Sequence, residues 1–251
     1  MVKLPPSLVF AALAALPLVP EGARANPHIG ACLDARAEAE RLAAACRSAL
    51  LAGGLDRRQR AAAYTNSGIA LSELGRDGDA LRQYDRAIAA DAGFTPAFAN
   101  RALSRARRGL TEEAIADWSE VIRREPGDWE ALLGRAGLHL SAGRPAQALE
   151  DAEAGIRLAR RQPDLHYTKG LALARLNRPG QAMQAFDAAL QLNPGDADAW
   201  VQRGLLQRAS APAGALRDMS RAIELAPRRA DFYAFRGEVL EGMGRVADAN
   251  R

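Results

Sequence analysis

Apolar and polar positions along most of the chain follow the spacing of amphipathic helices. Phe98, Ala102 and Arg105 fall on one face of a first helix, and Ala114, Trp118 and Val121 on one face of a second. Separations of three and four residues place side chains on a single helical stripe. Gly109 sits between the two segments, matched elsewhere by Gly75, Gly143, Asn177 and Gly244. Glycine and asparagine tolerate the left-handed conformation that ends a helix. Pro126, Pro194 and Pro227 follow the second segments and stop them. The predicted unit is helix–turn–helix–turn.

That unit recurs. Small residues stand at Gly68, Ala102, Ala136, Gly170 and Gly204, each 34 apart, and then at Gly237, 33 further on. A second column runs through Ala80, Ala114, Ala148, Ala182, Ala215 and Ala249 and slips by one residue at the same place. The deletion therefore lies between Gly204 and Ala215, in the turn Arg208–Gly214. Two columns holding one phase mark a repeat architecture.

With the columns aligned, the chain resembles the tetratricopeptide repeat (TPR) family. That family has a bulky residue at position 4 of each repeat, small ones at 8, 20 and 27, an aromatic at 24 and proline at 32. Repeat two reads Phe98, Ala102, Ala114, Trp118, Val121, Pro126, and repeat four His166, Gly170, Ala182, Phe186, Ala189, Pro194. Repeat five reads Trp200, Gly204, Ala215, Met219, Ala222, Pro227, and repeat one Tyr64, Gly68, Ala80, Tyr84, Ala87 with Ala92 for proline. Repeat three is weakest in its second helix, with Ala152, Gly155 and Arg160. The resemblance implies an all-α, right-handed solenoid. Its repeats would span 61–94, 95–128, 129–162, 163–196 and 197–229, with a partial sixth over 230–251.

The first 25 residues read as a cleavable signal peptide. Lys3 precedes the apolar run Leu8–Val19, too short to cross a bilayer, and Ala23-Arg24-Ala25 has the small-x-small form that signal peptidase reads. A mature chain from Asn26 would be exported, without membrane insertion, into a periplasm or beyond. Residues 26–60 resemble the leader of exported bacterial TPR proteins, in which a cysteine-containing helix caps the array. Ile29-Gly30-Ala31-Cys32 also resembles a lipobox, so acylation at Cys32 is the rival reading. Cys32 and Cys46 are the only cysteines. One straight helix would hold them roughly 21 Å apart. A disulfide therefore needs Cys32–Arg36 to run back along a helix starting near Ala37. Otherwise two free thiols remain.

Composition supports the helical reading. There are 56 alanines but only 18 valines, isoleucines and threonines together, which favours helix over sheet. The net charge of +4 is spread without a basic run, so nucleic acid is not an expected partner. No phosphate-binding loop, nucleophile elbow or metal-ligand spacing is present, so the chain reads as a non-enzyme without cofactor or metal. His166 at position 4 and His139 at position 11 read as substitutes for packing residues.

Arginine at position 7 and aspartate at 23 appear and vanish together. Arg101 pairs with Asp117, Arg135 with Asp151 and Arg203 with Asp218, whereas repeats one and four lack both. A bidentate pair between the two helices of one repeat explains this. The resemblance implies a concave groove lined by the first helices, with Asn66, Asn100, Arg107, Tyr167, Thr168, Arg175, Gln202, Arg208 and Phe235 as candidate peptide contacts. The carboxylate clamp of chaperone-binding members is absent, since of Thr65, Ile69, Asn100, Glu130 and Gly134 only Asn100 fits. The expected function is a periplasmic protein- or peptide-binding scaffold, with an acylated adaptor or an enzyme's accessory subunit as alternatives. A last helix over Asp231–Met243 would leave Val239, Met243 and Val246 uncovered, an edge suited to self-association.

Overall fold

The computed structural model describes residues 28–34, 38–245 and 248. The expected signal peptide over 1–25, and Val246, lie outside them. Among the described residues there are thirteen helices and no strand. The chain divides into two compact units, residues 1–138 and 139–251.

The first unit begins with α1 (Ile29–Cys32) and α2 (Ala39–Ala52). Cys32 of α1 and Cys46 of α2 form a disulfide with their Cα atoms 4.5 Å apart. Ile29, Leu42, Ala49 and Leu55 bury themselves around it, together with Ala63 and Ala70 of α3 (Arg57–Glu73). Asp56 starts α3 with a capping box: its carboxylate accepts from the Gln59 amide at 2.8 Å, and the Gln59 side chain accepts from the Asp56 amide at 3.1 Å. The pair α3 and α4 (Asp77–Ala90) is followed by α5 (Thr95–Arg107) and α6 (Thr111–Arg124). The unit ends within α7 (Trp129–Ser141).

The second unit takes up α7 at His139 and continues through α8 (Pro145–Leu158), α9 (Pro163–Arg175), α10 (Pro179–Leu192), α11 (Ala197–Gln207), α12 (Pro212–Leu225) and α13 (Ala230–Gly242). Proline opens four of these helices, where its missing N–H costs nothing. Gly170 shows why position 8 is small: a Cβ there would stand 2.5 Å from the Phe186 ring.

Three expectations are refined. The second helix of repeat three, α8, is fully formed, with Ala148, Asp151, Ala152 and Gly155 buried. Gly155 lacks the Cβ that would stand 2.6 Å from Leu165, so Leu165 of α9 packs directly over it and is itself fully buried. The deletion in repeat five removes the left-handed turn residue: Gly75, Gly109, Gly143 and Gly244 have φ of 72–74° and Asn177 has 56°, but no residue from Arg208 to Gly214 has a positive φ. Val239 is not uncovered. It shares the face of Phe232 and Phe235, which packs on α12, and is 1% exposed, whereas Met243 is 36% exposed.

Candidate functional site

Polar side chains on the first helices are organised by the repeat. In α5, Arg101 donates from Nε and one terminal nitrogen to the two oxygens of Asp117, at 3.0 and 2.7 Å. Arg203 of α11 makes the same fork on Asp218, at 2.8 and 2.7 Å. Both aspartates are buried, at 3% and 5% exposure. The third guanidinium nitrogen reaches back to the preceding repeat, Arg101 to Asp85 at 2.6 Å and Arg203 to Asp187 at 2.7 Å. Arg135 reaches Ser119 at 3.0 Å and Lys169 reaches Glu153 at 2.9 Å with the same separation of 16 residues. In repeats two to five the cation at position 7 therefore holds an oxygen at position 25 of the repeat before it.

Position 11 belongs to the same network. Arg105 donates to Asp117 at 2.5 Å, Gln207 to Asp218 at 3.4 Å, and His139 lies 3.8 Å from Asp151. His139 is thus a polar neighbour of the position-23 carboxylate rather than an apolar packing substitute. Repeats one and four have Leu71 and Leu173 there and no aspartate at 23. A buried carboxylate must have partners, and these appear only with it.

The position-4 residues tie repeats together differently. Trp200 donates to the Pro194 carbonyl at 3.0 Å, Tyr233 to the Pro227 carbonyl at 3.2 Å, and a His166 ring nitrogen lies 2.9 Å from the Arg160 carbonyl. Each joins a first helix to the chain just beyond the preceding second helix. His166 therefore replaces a tryptophan or tyrosine because it carries the same kind of donor.

The face available to a partner is narrower than the sequence implied. In the first unit Asn66 is 2% exposed and its amide donates to the Cys32 carbonyl at 2.9 Å. Asn100, 7% exposed, donates to the Pro96 carbonyl at 2.8 Å. Thr168, in the second unit, is also buried. Asn66 thus joins α3 to α1, Asn100 supports its own helix, and burial takes all three off the open face. The arginines are inter-repeat ties: Arg107 holds Asp77 at 2.7 Å and Ser104 at 3.0 Å, Arg175 donates to the Leu140 carbonyl, and Arg208 holds Glu238 at 2.8 Å. Partial burial opposes ionisation of Asp77, but Arg107 and Ser72 outweigh it and hold its carboxyl below the ordinary range.

The candidates outside these bonds lie in the second unit. Tyr167, Gln202 and Phe235 are half-buried on α9, α11 and α13, with Leu171 and Leu205 beside them. The Tyr167 ring packs against Phe186, 5.8 Å between centroids, which fixes its orientation. Burial, then Asp198 and Asp196, push its ionisation well up, so its hydroxyl stays a donor. Burial, and the nearby Asp198 and Asp164, also raise Asp196, which caps α11 by accepting from the Ala199 amide at 3.1 Å. Among the described residues no group of three or more His, Cys, Asp or Glu could hold a metal ion, and no helix is long and apolar enough to cross a membrane.

Paired helices, position-8 contacts and the 34-residue register define a class, and comparison with known proteins names it. The tetratricopeptide repeat family model matches residues 100–164, 138–197 and 167–215. Among solved structures, a TPR protein from Parabacteroides merdae aligns over 84% of this chain and 82% of its own, with TM-score 0.69 and 18% identity. YrrB, described as a TPR protein with an unusual peptide-binding site, aligns over 73% and 92%, with TM-score 0.59 and 20% identity. By sequence, the mouse protein O-mannosyl-transferase TMTC1 is 30% identical over 100 residues, which are 38% of this chain. The chain spans 11% of that relative's length and 18% of its human counterpart's. The chain is a tetratricopeptide repeat protein, an all-α solenoid of the kind that serves as a protein-interaction scaffold.

Proposed function

We propose that this chain is a non-catalytic scaffold of the bacterial periplasm that binds a protein or peptide segment along the first-helix face of its second unit. The observation that carries the reading is the strip of Tyr167, Leu171, Gln202, Leu205 and Phe235. It is apolar, half-buried and interrupted by one amide. Apolar surface with spaced hydrogen-bonding groups suits an extended or helical peptide. Export rests on the Leu8–Val19 core and the Ala23-Arg24-Ala25 site. The bridge speaks for an oxidising destination and against the acylated alternative, because a Cys32 sulfur bonded to Cys46 cannot also carry a thioether.

Capture from a periplasmic extract tests it, with the Gln202→Ala/Phe235→Ala variant beside the unaltered chain. Proteins retained by the unaltered chain and lost from the variant, at equal helical content, are the expected result. Identical profiles for both would remove the strip from the reading.

A further inference from the structure

We propose that the Cys32–Cys46 disulfide is a redox latch on α1, which closes the outer edge of the first repeat when oxidised and releases it when reduced. The proposal does not rest on the peptide-binding strip, which lies in the other unit. It starts from the length of α1. Four residues are far below what holds a helix together in water. Its own backbone bonds are few, Cys32 N–H to the His28 carbonyl at 3.1 Å and Leu33 N–H to the Ile29 carbonyl at 3.0 Å. Its place is therefore set from outside: by the bridge to α2, by burial of Ile29, and by Asn66, whose amide donates to the carbonyl of the bridged Cys32 itself.

Cys32 occupies the slot exactly one repeat, 34 residues, before Asn66. So α1 stands where the first helix of a preceding repeat would stand, but only one turn of it is present. The array from α3 onward has its own core of paired helices, and α1 touches it through the Asn66 amide and by burying Ile29 and Cys32 in one cluster with Ala63 and Ala70. Loss of the bridge thus frees α1 without dismantling the repeats. It uncovers Asn66, now 2% exposed, and takes the Cys32 carbonyl from its amide.

The chemistry balances with a dithiol as reductant. Its thiolate attacks one sulfur, the Cys32–Cys46 bond breaks and a mixed disulfide forms. The second thiol of the reductant then displaces the protein sulfur. The protein gains two electrons and two protons as two thiols, and the dithiol leaves as a cyclic disulfide. Both cysteines are fully buried, so attack must wait for α1 to lift. The latch is slow unless the edge is already breathing.

Hydrogen exchange on the full chain tests the proposal, comparing oxidised protein, protein reduced with dithiothreitol, and protein reoxidised. Reduction should speed exchange at the Cys32 and Leu33 amides at least tenfold. Helices from α5 onward should stay within twofold, and reoxidation should restore the original rates. The Cys32→Ser/Cys46→Ser variant should match the reduced chain; if it fails to fold, the reduced unaltered chain carries the test. Unchanged rates at Cys32 and Leu33 would overturn the latch. Loss of protection throughout the array would overturn it too, since the bridge would then be a global staple.

Discussion

Arg203 grips Asp218 with two parallel hydrogen bonds, at 2.8 and 2.7 Å, and spends its remaining nitrogen on Asp187 of the repeat before. One side chain thus clamps its own helix pair and joins it to its neighbour. Arg101 does the same for Asp117 and Asp85. In a stacked array, where each repeat contacts only its neighbours, such a residue sets register as well as stability.

The two limbs should differ in weight. Asp218 is buried, whereas the Asp187 side chain is 45% exposed. Asp218→Asn should cost up to the roughly 3–5 kcal/mol of a broken buried pair, reduced by the partial exposure of Arg203. Asp187→Asn should cost at most about 1 kcal/mol. Urea unfolding of each single variant and of a double-mutant cycle with Arg203 checks this. Equal coupling on both limbs would contradict it.

Close helix contact at position 8 predicts a contrast between two glycines. Gly170→Val must push against Phe186 and should destabilise by about 1–3 kcal/mol. Gly180, near the start of α10, has nothing within 4 Å of a new Cβ. Gly180→Ala should be neutral, or stabilising by less than about 1 kcal/mol through helix propensity. Thermal unfolding followed by circular dichroism separates them.

The bonds from position 4 to the preceding repeat can be removed singly. Trp200→Phe keeps an aromatic ring but deletes the donor to the Pro194 carbonyl and part of the indole, and should cost more than the roughly 0.5–1.5 kcal/mol of the hydrogen bond alone. Tyr233→Phe, at a more exposed site, should cost less. The measurement is the shift in denaturant midpoint at unchanged slope.

Acid should weaken the first unit. Glu120 is lowered from 4.5 to about 2 by hydrogen bonds from Arg123 and then Arg124, and Asp77 is also lowered. A carboxylate depressed in the folded state contributes stability above its unfolded pKa and loses it as pH falls through the folded value. Stability should therefore decline between about pH 4.5 and pH 2. The slope there should be shallower in Glu120→Gln. Glu130 works the other way: burial, then Asp128, raise it, so Glu130→Gln should not destabilise at pH 7.

The fold was legible because the repeat makes every position visible several times. The columns Gly68 to Gly204 and Ala80 to Ala215 carry the helix pairing, and the turn residues from Gly75 to Gly244 take the left-handed conformation their types implied. The arginine–aspartate fork was legible in repeats two and five for the same reason. Its second limb was overlooked, although Asp85, Ser119, Glu153 and Asp187 form an oxygen-bearing column of their own. The candidate site was less legible. Period tells which face a residue takes, but not what already occupies that face. Asn66 lies under α1, and Arg107, Arg175 and Arg208 are satisfied by neighbouring repeats. Repeat three's second helix looked weak because Leu165, the residue that completes its packing, comes from the next repeat.

The central claim, that the first-helix face of the second unit receives a partner protein, is tested most directly by photo-crosslinking. A photoreactive residue would replace Gln202 on that face in one chain, and Arg221 on the outer side of α12 in another. Both chains would be irradiated in the cells that make them. Defined crosslinks to another protein from position 202, suppressed by Phe235→Ala and absent from position 221, are the predicted result. No crosslink at 202, or the same products from both positions, would contradict it.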